Sequence, residues 1–134
     1  MARTAISQGA GARRAEGLAA EAAVATWLEQ RGWVVLERNR VVRGGELDLI
    51  ARDGEVVVFV EVRLRRGGVS TALASITPAK VRRLVRAAEN WLAQAALDVP
   101  VRFDVVAVAR RSGGEYAFVH VPSAFDAGDA EPWS

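Results

Sequence analysis

The chain has 134 residues, 51% of them apolar and 25% charged, with a formal net charge of +2; this is enough for one globular domain with a real core. It has no cysteine, which excludes disulfides, thiolate chemistry and cysteine-ligated zinc, and its one histidine, His120, excludes a histidine-rich metal site. No apolar run approaches the roughly 18 to 20 residues of a membrane helix, and residues 1 to 17 lack the apolar stretch of a signal peptide; a cytoplasmic protein with no membrane partner is expected.

Residues 1 to 14, rich in Ala, Gly and Arg, are expected to be flexible. A helix is predicted from Ala15 to Arg31, with Leu18, Val24, Trp27 and Leu28 near helical spacing and Gly32 as its C-cap. Trp33 to Arg38 reads as a first strand, Arg43-Gly44-Gly45 as a loop, and Gly45 to Ala51 as a second strand. Asp53-Gly54 turns the chain into a third strand, Val56 to Arg63. Val56 to Val60 is a continuous β-branched and aromatic run, which suits a strand buried on both faces in the middle of a sheet. Arg65 to Ile76 is predicted to be a loop. Thr77 then caps a second helix with Pro78 at its first position. Val81, Leu84, Val85, Ala88, Trp91, Leu92 and Ala95 form its apolar stripe. Val101 to Val108 is a further strand, and Tyr116 to Val121 an edge strand. The order α-β-β-β-α-β-β predicts an α/β fold, a mixed β-sheet flanked by helices. One domain is expected over residues 15 to 121, with an acidic tail over 122 to 134. Trp27, Trp33 and Trp91 are expected in the core, Trp133 in the tail without an ordered role.

The chemistry lies in the second and third strands. Residues two apart in a strand share a face, so Glu46 pairs with Asp48, and Glu61 with Arg63. A hairpin brings these together as three carboxylates and one fixed cation. Glu61 ends a central strand, where a carboxylate is costly unless paired or bound to a metal. Such a cluster suits Mg²⁺ or Mn²⁺ acting on a phosphodiester, since hard cations prefer oxygen ligands. Asp48, Glu61 and the Val62 carbonyl can ligate the ion, with Glu46 completing the shell. Arg63 can clamp a phosphate but essentially never deprotonates. Plain ion pairs, Glu61 with Arg63 or Asp48 with Arg43, explain the same pattern, and the residues alone leave both readings open.

Charge adds a partner. Seven basic residues and no acidic one lie between Arg63 and Arg86, which favours a polyanion. Seventeen arginines against one lysine, Lys80, also fit an arginine-rich proteome with a solvated helix face.

Gly44-Gly45-Glu46-Leu47-Asp48-Leu49-Ile50-Ala51, Phe59-Val60-Glu61-Val62-Arg63, Thr77-Pro78-Ala79-Lys80 and Arg102-Phe103-Asp104-Val105-Val106 closely resemble the YraN family of small bacterial proteins. Ala20-Glu21 to Trp27-Leu28, Arg31-Gly32-Trp33 and Arg38-Asn39-Arg40 fit its first helix and strand. The resemblance spans roughly residues 17 to 108. That family is similar to the PD-(D/E)xK nucleases, in particular archaeal Holliday-junction resolvases. The resemblance implies a restriction-endonuclease-like fold. It carries the aspartate onto Asp48, the glutamate onto Glu61 and the metal-assisting helix glutamate onto Glu21. The lysine position falls on Arg63, and this departure puts cleavage in doubt; Lys80 is the one lysine that can substitute.

The expected activity is a metal-dependent DNA endonuclease acting on structured or branched DNA in repair or recombination. The alternative is a non-catalytic nucleic-acid-binding protein on a degenerate nuclease fold. Lys80, Arg82, Arg83, Arg86, Arg65 and Arg66 are expected to contact the DNA backbone, which positions a duplex without reading its sequence. Asp104 is expected to be structural, paired with Arg102 or another arginine. Many nucleases of this kind are dimers, and a homodimer stays open without an interface signature.

Overall fold

The computed structural model describes the backbone of residues 2–127 and the side chains of residues 11–127. Eight elements follow in order: α1 (Ala2–Gln30), β1 (Val34–Val42), β2 (Gly45–Asp53), β3 (Val56–Leu64), α2 (Gly68–Ala74), α3 (Pro78–Ala95), β4 (Val101–Arg110) and β5 (Tyr116–Phe125). The strands form one five-stranded sheet in the order β1-β2-β3-β4-β5. The β3–β4 pair is parallel and the others are antiparallel. This is the mixed α/β sheet with flanking helices that the element order predicts.

β3 is central because its residues can be buried on both sides. Val58 and Val60 pack with Ala20, Val24, Ala25 and Leu28 of α1. Val57 and Phe59 pack with Val81, Leu84, Val85, Ala88 and Trp91 of α3. Phe59 stacks on Phe103 and meets Trp91 edge-on, geometries that aromatic quadrupoles favour. The helices hold the sheet between them, and α2 with α3 forms the crossover that a parallel pair requires.

Local signals explain the boundaries. Gly32 has φ +90°, and the Trp33 N–H reaches the Leu28 carbonyl at 3.1 Å while the Gly32 N–H reaches Glu29 at 3.0 Å, a Schellman end. The Thr77 hydroxyl accepts the Lys80 N–H at 3.2 Å, with Pro78 opening α3. Gly44 has φ +104°, and a Cβ there would lie 3.2 Å from Arg86 Cγ and 3.3 Å from the Ala87 nitrogen. The β1–β2 turn can touch α3 because that atom is missing.

The structure corrects several expectations. α1 starts at Ala2 rather than Ala15. Leu18 is exposed rather than core, while Ala20 and Ala25 are buried. Trp33 and Trp91 are buried, but Trp27 is half-buried, stacked on Phe118 beneath Arg31. The stretch expected to be a loop before Thr77 contains α2. Ala95 is exposed at the end of α3. The hairpin between β2 and β3 turns at Gly54-Glu55, since Asp53 still pairs with Val56. β5 continues through Pro122 to Phe125, which pairs with Phe103 across a register shift. Pro122 sits on an edge strand, where its missing N–H costs least. Trp133 and most of the acidic tail lie outside the described residues.

Candidate active site

The site forms where β2 leaves β3. Their pairing ends at Leu49–Val60, so the next pair, Asp48 with Glu61, is not a ladder pair. The Asp48 side chain fills the gap: its Oδ2 accepts the Val62 N–H at 3.0 Å. This carboxylate takes the place of a main-chain acceptor and holds the two strands together as they splay.

Glu61 is 5% exposed, one of two charged side chains among the buried residues described. Its Oε2 lies 2.7 Å from an Arg63 terminal nitrogen and 3.7 Å from Lys80 Nζ. Burial, then the charge and hydrogen bond of Asp48, push the Glu61 carboxyl up to about 8 despite the two cations. Burial also pushes Glu21 on α1 up to about 7, helped by the charges of Asp48 and Glu46 and opposed by a hydrogen bond with Asn39. Glu21 Oε2 is buried without a hydrogen-bond partner. Asp48 on β2 thus raises one carboxyl on α1 and another on β3, and both are pushed above the ordinary glutamate range.

Glu21, Asp48, Glu61 and Arg63 are thus brought together. Glu46 is exposed, close enough to raise Glu21 but at the rim. The expected Glu61–Arg63 ion pair is present; among the described residues Asp48 makes no ion pair with Arg43. No group of three or more acidic or histidine side chains among the described residues is arranged to enclose a metal ion. One Asp48 oxygen accepts the Val62 N–H, and one Glu61 oxygen faces two cations.

Lys80 belongs to this site and not only to the basic face of α3. The sequence offered one signal for it, that it is the only lysine. Asn39 was not anticipated as a partner of Glu21. It lies across from Asp48, between the pairs Arg38–Leu49 and Arg40–Leu47, and has φ +51°, a conformation asparagine tolerates better than most residues. Arg82, Arg83, Arg86, Arg65 and Arg66 are all exposed, the first three on the outer side of α3.

Asp104 is structural, as expected. It is fully buried and takes two hydrogen bonds from Arg102 at 2.8 and 2.9 Å, one from His120 Nε2 at 2.7 Å and one from the Ser123 N–H at 3.0 Å. Burial pushes its carboxyl up, but the donors His120, Arg102 and Ser123 outweigh this and carry it below the usual range. Arg31 approaches His120 Nδ1 at 3.0 Å. Arginine only donates, so Nδ1 accepts and Nε2 carries the proton given to Asp104. His120 thereby joins β5 to α1 and β4.

A mixed five-stranded sheet whose splayed hairpin gathers helix and strand carboxylates defines a small α/β protein with a buried acidic site. The chain belongs to the uncharacterised protein family UPF0102, the YraN family, whose model matches residues 20–108. It is similar to a UPF0102 protein of Anaeromyxobacter dehalogenans, 48% identical over 122 residues and 90% of each chain. A UPF0102 protein of Geobacter sulfurreducens is 37% identical over 123 residues, 90% of this chain and 96% of its own. One from Alkalilimnicola ehrlichii is 58% identical over 82 residues, 59% of this chain and 65% of its own. No helix among the described residues is long and apolar enough to cross a membrane.

Proposed function

We propose that this protein is a metal-dependent DNA endonuclease acting on structured or branched DNA. The observation that carries the reading is Asp48 standing beside both Glu21 and Glu61 where β2 parts from β3. A buried Glu61 beside a second carboxyl, with Glu21 Oε2 left without a partner, is an arrangement that a hard divalent cation relieves. The donor atoms are of the kind Mg²⁺ or Mn²⁺ prefers, since Asp48, Glu61, Glu21 and the Val62 carbonyl all offer oxygen, and the acids would have to close up to enclose the ion. The ion, when bound, supplies Lewis acidity toward phosphate and water.

The chain's own groups divide the remaining work. Arg63, mostly buried and fixed at 2.7 Å from Glu61, clamps a phosphate oxygen and stabilises its growing charge. Lys80 adds a second positive charge from α3. Both cations face Glu61 Oε2, Arg63 at 2.7 Å and Lys80 at 3.7 Å. The exposed arginines of α3 bind backbone phosphates and give affinity without sequence preference.

The test is cleavage of junction, flap and single-stranded substrates with Mg²⁺ or Mn²⁺, expected for the native chain and lost in Asp48→Asn. No cleavage of any of these would overturn the reading.

One observation favours a second reading, a non-catalytic DNA-binding protein. Arg63 occupies the lysine position and is spent on Glu61 at 2.7 Å. On this reading DNA binding is strongly salt-dependent, nothing is cut, and Arg63→Lys restores cleavage.

A further inference from the structure

We infer that the end of the sheet where β3 and β4 finish is a second phosphate-binding surface, built by Arg13 and Arg14 of α1, Arg65 and Arg66 after β3, and Arg110 and Arg111 at the end of β4. The DNA backbone then crosses the acidic site, from the basic side of α3 to the side of α1. The inference rests on the nuclease reading for the identity of the polyanion and goes beyond it in naming where that polyanion lies.

Topology gathers these residues from three parts of the chain. β3 and β4 are parallel, with Arg63 beside Ala107 and Leu64 beside Val108. The Arg65 N–H reaches the Val108 carbonyl at 3.1 Å, so the ladder carries Arg65 toward the strand end that bears Arg110. Arg110 in turn reaches α1: one terminal nitrogen lies 3.7 Å from Glu16, and its Cζ lies 5.9 Å from the centre of the Tyr116 ring. Arg13 stands three positions before Glu16, a neighbour on the same helix surface. All six arginines are exposed. They are scattered in sequence, so a charge count along the chain passes over them.

The charge there is one-sided. The acids that stand among these arginines are Glu16 and Glu115, and Glu16 is already engaged by Arg110. A surface that only keeps a protein in solution mixes both signs; this one concentrates one sign, which attracts a polyanion. Guanidinium groups suit phosphate because their donors lie in a fixed plane.

Position supplies the second argument. Arg13 and Arg65 line one cleft with Glu21, Val62 and Arg63, so the surface runs into the acidic site. α1 packs against Val58 and Val60, and α3 against Val57 and Phe59, so the two helices cover opposite faces of the sheet. The arginines of α3 approach the site from one face, and Arg13, Arg65 and Arg110 from the other. Phosphates on both sides of the acids are then held, and contacts of this kind position a backbone without reading its sequence.

The test is binding of a labelled four-way junction in EDTA, followed by fluorescence anisotropy from low to moderate salt. Arg13→Ala and Arg111→Ala are each expected to weaken binding about fivefold and to make its salt dependence shallower by about one contact. Arg52→Ala removes the same charge at the opposite end of the sheet, where Arg52 pairs with Val57, and is expected to bind as the native chain does. All three positions are exposed, so melting points near the native value check that the fold is intact. No junction binding by the native chain, native affinity in either Arg13→Ala or Arg111→Ala, or an equal loss in Arg52→Ala would overturn the inference. Selective loss in the two variants, with no cleavage when Mg²⁺ is added, supports the surface and sinks the nuclease reading alone. Junction cleavage by a protein whose two variants bind as the native chain does the reverse.

Discussion

Lys80 and Glu61 stand 19 positions apart in the chain, yet Lys80 Nζ lies 3.7 Å from Glu61 Oε2. The first turn of α3 carries the amine to the end of β3, beside Arg63. Two cations on one buried carboxylate leave the titratable amine and the guanidinium in different positions, one on a helix and one on a strand. If the site cuts DNA, Lys80→Ala should lower the cleavage rate about a hundredfold, the scale for losing one preorganised charge at a reacting group. Lys80 is 30% exposed, so its circular dichroism spectrum and melting point should stay near those of the native chain. A fully active Lys80→Ala would remove the amine from the mechanism.

Stability should depend on pH through Glu61. Its carboxyl is raised from 4.5 to about 8, so the native state holds a proton that the unfolded chain has released. Such a group contributes stability that is complete below 4.5 and is lost as pH rises through the folded value. The ion-free protein should therefore unfold in less urea at about pH 8 than at about pH 5, and Glu61→Gln should flatten that slope. Mg²⁺ should raise the melting temperature more at the higher pH, where it competes with fewer protons. A slope unchanged in Glu61→Gln would place its origin elsewhere.

Asp104 gives the opposite sign in another window. Its folded pKa is depressed, so its stabilisation is present above the ordinary 3.8 and lost as pH falls through the lower folded value. Asp104→Ala leaves Arg102, His120 and the Ser123 N–H facing a hole. It should cost about 3 kcal/mol, the lower end for breaking a buried charged pair, as read by urea denaturation. It should also free the end of β5, so that amide exchange at Ser123 rises with the loss.

The α3 cap gives a smaller, local effect. Thr77→Ala removes the acceptor for the Lys80 N–H and should destabilise the protein by about 1 kcal/mol. Since that turn aims Lys80 at Glu61, cleavage should fall in Thr77→Ala and recover in Thr77→Ser. An equal fall in both variants would separate the cap from the site.

The strands were legible because β-branched runs, glycine turns and alternating residues are local signals. Val56 to Val60 announced a central strand, and Glu61 at its end announced a costly charge. α2 was hidden because its glycine-led, short Gly-Val-Ser-Thr stretch has the composition of a loop. The early start of α1 was hidden because alanine and arginine favour helix without marking a face. Leu18 matched the spacing but α1 turns Ala20 and Ala25 inward instead, since small residues let the helix approach the sheet. Partners set by tertiary approach left no local trace: Lys80 with Glu61, Asn39 with Glu21, His120 with Asp104. The last follows from the pairing of His120 with Val106, two residues from Asp104, which no pattern along either strand reveals.

Asp48 meets two demands at once. Its oxygen substitutes for a carbonyl at the fork of the hairpin, a need that persists whether or not chemistry occurs there. A chain of this fold that cuts nothing would still be under pressure to keep an acid or amide at that position. Retention of the aspartate is thus poor testimony to a working enzyme, and Asn, which preserves the fork while removing the charge, separates architecture from activity where Ala would confound them.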